Sequence, residues 1–262
     1  MKLLIALALA LAPTAIGARD LKVCADPNNM PFSDRAGEGF ENKLVEILAA
    51  ELHASVTYTW WAQRRGNVRE TLNEGLCDLI PGVGASLEML GTTRPYYRST
   101  YVAITRTGEP PVASFDDERL KTLKIGVQMV GDDFSNTPPA HALSKRGIVD
   151  NIRGYMIYGD HGAPDPQAAI VEAVARGEVD VAFVWGPVGG WYAARQPVPL
   201  TVTPVSPPFD GPQLPMVFDI SMGTRKDDRA LREEVETALA RRAPEVRALL
   251  ARYHVPLADE QP

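Results

Sequence analysis

The sequence predicts an α/β protein of two lobes, each with a mixed, mainly parallel sheet, joined through a hinge. Three observations carry that expectation. Residues 21–83 alternate strand-like and helical patterns in the order β-α-β-α-β, the grammar of a parallel sheet with crossover helices. A polar, Pro-rich stretch, TGEPPVASFDDERL (107–120), then interrupts the chain, and the same grammar begins afresh at Leu123. Between them, YYRSTYVAIT (96–105) reads as one long strand with no helix before the next segment.

Composition supports a folded, exported chain. Its 262 residues are 45% hydrophobic and 23% charged, ordinary for a globular protein with room for one large or two smaller cores. Lys2, the apolar run Leu3–Ala12 and the small residues Ala15, Gly17 and Ala18 form a signal-peptide pattern over residues 1–18. The run is too short to span a bilayer. The expectation is a periplasmic protein with no membrane span. The formal net charge of −6 becomes about −7 without Lys2, and no basic block exists, which argues against nucleic acid and anionic membrane surfaces as partners.

The first strand ends at Ala25, and Asp26, Pro27, Asn28, Asn29 and Pro31 follow as turn formers. Rigid polar loops at the carboxyl ends of strands are where open α/β sheets bind ligands. Gly39 to Leu52 follows a helical pattern, with Leu44, Ile47, Leu48 and Leu52 on one face. Val56 to Trp60 alternates as a second strand, Asn67 caps a predicted helix over 68–76, and CDLIPGV (77–83) is the third strand.

In a 2-1-3 strand order the first and third strands are neighbours, which would bring Cys24 and Cys77 together. These are the only cysteines, no His sits beside either, and export permits a disulfide. In the chain-entropy model, closing that loop stabilises by roughly 4 kcal/mol.

In the second half, strands are expected around LKIGVQM, within NIRGYMIYG, at DVAFVWG and at VPLTVTPV. Helices are expected over 139–147 and 165–177, the latter with Ala169, Ile170, Ala173 and Val174 inward. MVFDISMG returns as a strand, and 229–242 and 244–253 are amphipathic helices. The expected division is lobe 1 over 19–106 and 216–262, and lobe 2 over 107–215.

The segments CADPNNMPFSDRAGEGFENKL, YTWWAQRRGNVRETLNEGLCDLIPGV, TTRPYYRSTYV, NTPPAHALSKRGIVDNIRGY and GEVDVAFVWGPVGG resemble the J proteins of quinoprotein methanol dehydrogenase clusters (MxaJ and XoxJ). More broadly they resemble family 3 solute-binding proteins, and the resemblance runs along essentially the whole chain after residue 18. It implies a type II periplasmic binding protein fold. It also implies a role in maturing or activating a PQQ-dependent methanol or alcohol dehydrogenase, the expected partner, with its cytochrome as a second candidate.

The resemblance to amino-acid binders implies three ligand clamps, and the chain departs from each. Where an Arg would pair with the α-carboxylate stands Met89. Where Gly-Thr would present N–H groups at a helix N-terminus stand Asp132 and Asp133. Where a late Asp would take the ammonium stands Trp185, to within a residue or two. An α-amino acid is therefore not the expected ligand.

The candidate contact residues are Asp26, Asn28, Asn29 and Phe32 of the opening loop, and Trp61, Arg64 and Arg65 at the lip. Arg94, Tyr96, Tyr97, Asp132, Asp133 and Trp185 complete the set. Trp and Arg are frequent interface hot spots. Strand alternation sends Trp60 and Trp61 to opposite sides, so one of the two belongs to the core. Arg94 reads equally as a surface ion pair. Asp132 and Asp133 read as helix-capping residues beside Ser135 and Asn136 sooner than as a calcium or lanthanide site, which needs six or more oxygens. No metal and no cofactor is expected. The four His residues form no recognisable catalytic motif, so the protein is not expected to be an enzyme. The alternative reading is a receptor of an ABC importer for a small molecule other than a standard α-amino acid.

Overall fold

The computed structural model describes residues 19–131, 136–158 and 161–258; the expected signal peptide, Asp132 and Asp133 lie outside them. The first half runs β1 (Arg19–Ala25), β2 (Asn28–Asn29), β3 (Ser33–Asp34), α1 (Phe40–Glu51), β4 (Ala54–Trp60), α2 (Asn67–Glu70), β5 (Ile80–Gly84), β6 (Gly91–Thr92) and β7 (Tyr97–Arg106). The second half continues with β8 (Ile125–Met129), α3 (Pro138–Lys145), β9 (Ile152–Met156), α4 (Ala169–Ala175), β10 (Val181–Trp185), α5 (Gly186–Ala193), β11 (Leu200–Pro204), β12 (Val217–Thr224), α6 (Arg229–Arg241) and α7 (Ala243–Arg252).

β1 pairs in parallel with β4 along its whole length, and Val23 bridges Leu79 in parallel just before β5. The first three long strands thus stand in the order 2-1-3. Cys24 and Cys77 are joined, with Cα atoms 5.5 Å apart, inside the normal span of a disulfide. Both are buried, in a small core with Leu72, Ile80 and Leu90.

β7 is the strand the two lobes share. Its residues 97–100 pair with β12, 101–105 with β10 and 102–106 with β11, all antiparallel. β8 then pairs in parallel with both β10 and β9. The chain end runs alongside. Ser99 bridges Leu257, and the Ser99 hydroxyl donates to Pro256 O over 2.6 Å.

The main core of the first lobe unites Leu21, Phe40, Leu44 and Leu48 with Leu231, Val235, Leu249 and Leu250 of α6 and α7. Two further cores lie on either side of the second lobe's sheet, around Ile104, Ile170 and Val184, and around Leu143, Ile125 and Phe183.

Three elements differ from their sequence patterns. α2 spans only four residues: the chain leaves helical geometry at Thr71, and the N–H groups of Asn73 and Leu76 then reach Val68 O and Thr71 O in wider turns. α4 begins at Ala169, after a turn in which Asp165 has φ +48°; Val171 is buried in place of Ala169. α5 is a helix that GPVGGWYA conceals, since Gly is a poor helix former. Gly190 is required there: a Cβ would lie 1.9 Å from His254 O.

Candidate partner-binding site where the lobes meet

The opening loop is rigid because its side chains hold its own backbone. The Ser33 hydroxyl accepts from Asp26 N at 3.1 Å and donates to Asp26 O at 2.9 Å. Asp26 Oδ1 accepts from Asn28 N at 2.9 Å. Asn42 Oδ1 accepts from the N–H groups of Asp34 and Gly39, fixing the entry to α1. Gly39 is needed at that entry because a Cβ would lie 2.1 Å from Phe32 O.

The loop faces the second lobe and is bonded to it. Asp26, 5% exposed, accepts from the His161 imidazole Nε2 at 2.9 Å and from Gln63 N at 2.6 Å. The Asn28 amide donates to His161 O at 3.0 Å and to Ala163 O at 2.9 Å. Asn29 accepts from the Gln167 amide and donates to Gln63 Oε1 at 3.0 Å. Tyr192 OH joins Met30 O at 3.3 Å and Asp165 Oδ1 at 3.2 Å. Phe32 packs against the cores of both lobes.

Glu41 lies beneath this loop. It is 5% exposed, and its Oε1 is so close to Gly82 that a Cβ there would meet it at 2.0 Å. Burial, and secondarily the charge of Asp26, pushes its carboxyl up to about 8, so it carries a proton at neutral pH. The neighbouring Tyr96 and Tyr97 are held neutral, their phenols pushed well up, first by burial.

The lip carries the remaining polar and aromatic groups. Trp60 is half-buried, stacked on Tyr58 with centroids 4.6 Å apart and covered by Arg35, and Trp61 is 42% exposed, so neither belongs to a core, against the expectation from alternation. Arg64 sits over the Tyr158 ring at 5.8 Å, linking the two lobes, and Arg65 follows it. Met156, at the end of β9, is also exposed.

Three candidates do not join this site. Tyr97 is 7% exposed and packs edge-on against Phe40 in the core, because its position on β7 points inward. Arg94 is on the surface, 3.5 Å from Glu236, the ion-pair alternative. Trp185 packs against Tyr101 and Phe218 at 5.4 and 5.8 Å, an aromatic cluster beside the shared strand. Tyr96 is half-way between, its OH donating to Pro81 O at 3.0 Å.

Sequence reasoning gave no role to Gln63, His161, Gln167 or Glu41, and read Tyr192 only as an aromatic of the facing lobe or hinge. His161 is one of four histidines that form no catalytic motif in the sequence; its partner is 135 residues away. Among the described residues no cluster of His, Cys, Asp and Glu gathers that could hold a metal ion, and no helix is long and apolar enough to cross a membrane. Two concavities, of about 420 and 330 Å³, lie away from the loop. One is bounded by Ala193, Val202 and Pro256, the other by Arg19, Asp78 and Glu234.

A shared antiparallel strand between two α/β lobes, with the first strand's loop turned to the junction, defines the class: a periplasmic binding protein of the two-lobed type. A solved structure bears this out. The periplasmic binding protein XoxJ from Methylobacterium extorquens AM1 is 38% identical, with a TM-score of 0.75 over 92% of this chain and 100% of that one. Protein MoxJ of Methylorubrum extorquens is 31% identical over 92% of this chain and 82% of its own length, and Protein MoxJ of Paracoccus denitrificans 31% over 96% and 94%. The chain belongs to the MoxJ family. No protein-family model matches it.

Proposed function

We propose that the chain is a periplasmic accessory protein of a quinoprotein methanol or alcohol dehydrogenase, serving its maturation or activation and catalysing no reaction itself. The J proteins that its sequence resembles are encoded beside that dehydrogenase and its cytochrome, which makes the dehydrogenase, in its apo form, the first partner to test. The contact surface in this reading is the lip around Trp61, Arg64 and Arg65, with the residues of lobe 1 that support it.

One observation carries this reading. The polar atoms of Asp26, Asn28 and Asn29, which would greet a small solute, are bonded to the chain's own residues 161–167. The departures at Met89 and Trp185 point the same way: Met89 is 57% exposed and offers no charge, and Trp185 belongs to an aromatic cluster. An aromatic ring and cations at an exposed rim suit a protein surface better than a small anion.

The test is a pull-down with the mature protein from periplasmic extract of its methanol-grown host. Recovery of a quinoprotein dehydrogenase, lost with Trp61→Ala/Arg65→Ala, supports the reading. An empty pull-down together with a thermal shift on adding a small solute would return the protein to the importer receptors.

A further inference from the structure

Residues 161–167 reach across from the second lobe and meet the opening loop atom for atom. His161 brings its imidazole to the buried carboxylate of Asp26 at 2.9 Å. The carbonyls of His161 and Ala163 take both hydrogens of the Asn28 amide, at 3.0 and 2.9 Å. Gln167, 8% exposed, donates to Asn29. Asp165, held in the left-handed region at φ +48° and hydrogen-bonded through its carbonyl to Ala168 N, accepts from Tyr192, which also reaches Met30 O.

These contacts mix one ionisable pair with amide and hydroxyl donors, the chemistry by which a polar solute would bridge two lobes. We propose that segment 161–167 is an internal strap that takes a solute's place on the Asp26–Asn29 loop and keeps the lobes closed without any small ligand. The inference holds whichever partner the protein serves.

It differs from the ordinary behaviour of hinged binding proteins, in which a ligand between the lobes drives closure. Closure here is a property of the chain, biased by its own differential contacts in the closed state. Each hydrogen bond to the strap raises the closed-to-open ratio by roughly 2- to 13-fold. Asn28, with two of them, matters most. Arg64 over Tyr158 at 5.8 Å and Trp191 stacked on Tyr253 at 4.8 Å add contacts beside the strap.

The experiment is small-angle X-ray scattering, with no added solute, on the full mature protein and on Asn28→Ala, Gln167→Ala and the double variant. A compact chain of this length has a radius of gyration of about 18 Å. The wild type is expected at the value calculated from the closed structure, and the double variant above it, with the single variants between. Far-UV circular dichroism and a cooperative thermal transition guard against misfolding. If the double variant does not fold, His161→Ala, at a half-buried position, replaces it.

A wild type already open in buffer would overturn the proposal. So would a folded double variant with unchanged scattering. Whether the dehydrogenase binds is decided separately, by the pull-down.

Discussion

Replacing Glu41 with Gln should make the protein more stable, and by an amount that grows with pH. Glu41 is buried against Gly82 with Asp26 nearby, and its carboxyl is pushed up from 4.5 to about 8. A raised carboxyl holds its proton in the folded state while the unfolded chain releases it. Its contribution is therefore complete below the unfolded value near 4.5 and is lost as pH rises toward 8. Above 8 both states are ionised and the slope vanishes.

The whole interval is worth at most about 5 kcal/mol at 1.36 kcal/mol per pH unit; relaxation and water entry reduce it, and about 2–3 kcal/mol is the expected gain. Gln keeps the shape and stays neutral, so it removes the linkage alone. Urea unfolding of both proteins between pH 4 and 9, at constant ionic strength, gives the difference directly. The curves should coincide near pH 4 and diverge up to pH 8. A difference that is constant with pH would refute the protonated Glu41, and a variant less stable at pH 8 would mean that the ionised carboxylate has a partner.

Three further outcomes follow. Reducing the Cys24–Cys77 bond, or replacing both residues by Ser, should lower unfolding free energy by about 4 kcal/mol, read as a drop in thermal midpoint relative to the oxidised protein; an unchanged midpoint would show that the bond does not close the 53-residue separation in solution. Gly190→Ala should cost about 1–3 kcal/mol, because its Cβ would meet His254 O at 1.9 Å, measured by denaturant unfolding. Trp61→Ala/Arg65→Ala should leave the thermal midpoint within about 2 °C yet weaken dehydrogenase binding at least tenfold by calorimetry, the loss expected of a hot-spot pair; equal affinity would move the interface elsewhere.

The fold was legible wherever local chemistry decides local structure. The alternation in β4, the apolar face of α1 and the breaks at Pro and Gly reproduce most of the element order, and strand neighbourhood, with export and a count of two cysteines, brought Cys24 to Cys77. It failed where a distant atom decides. α5 exists because Gly189 and Gly190 let the helix approach β7 and the chain end, which no periodicity in GPVGGWYA announces. The opening loop was visible as a rigid polar surface, but what it touches was not. His161, Gln167 and Tyr192 lie 133 to 162 residues further on, and nothing in their own neighbourhoods marks them as partners.

The junction between the lobes is reinforced at two places. At one the strap joins Asp26, Asn28 and Asn29 to residues 161–167. At the other, Tyr253 stacks on Trp191 at 4.8 Å and packs against Phe40 at 5.9 Å, tying α7 to both lobes. A hinge moves freely when only its crossing strands join the lobes; contacts of this kind must break before it can swing. Such a body suits the presentation of a fixed surface better than closure around a captured molecule. If so, weakening the Tyr253 side alone, with Trp191→Ala, should leave the strapped face closed and the scattering close to wild type. Combining it with Asn28→Ala/Gln167→Ala should open the protein further than the strap variants alone. An additive-free result, in which Trp191→Ala opens the lobes by itself, would place the restraint in the C-terminal helix and remove the strap's leading role.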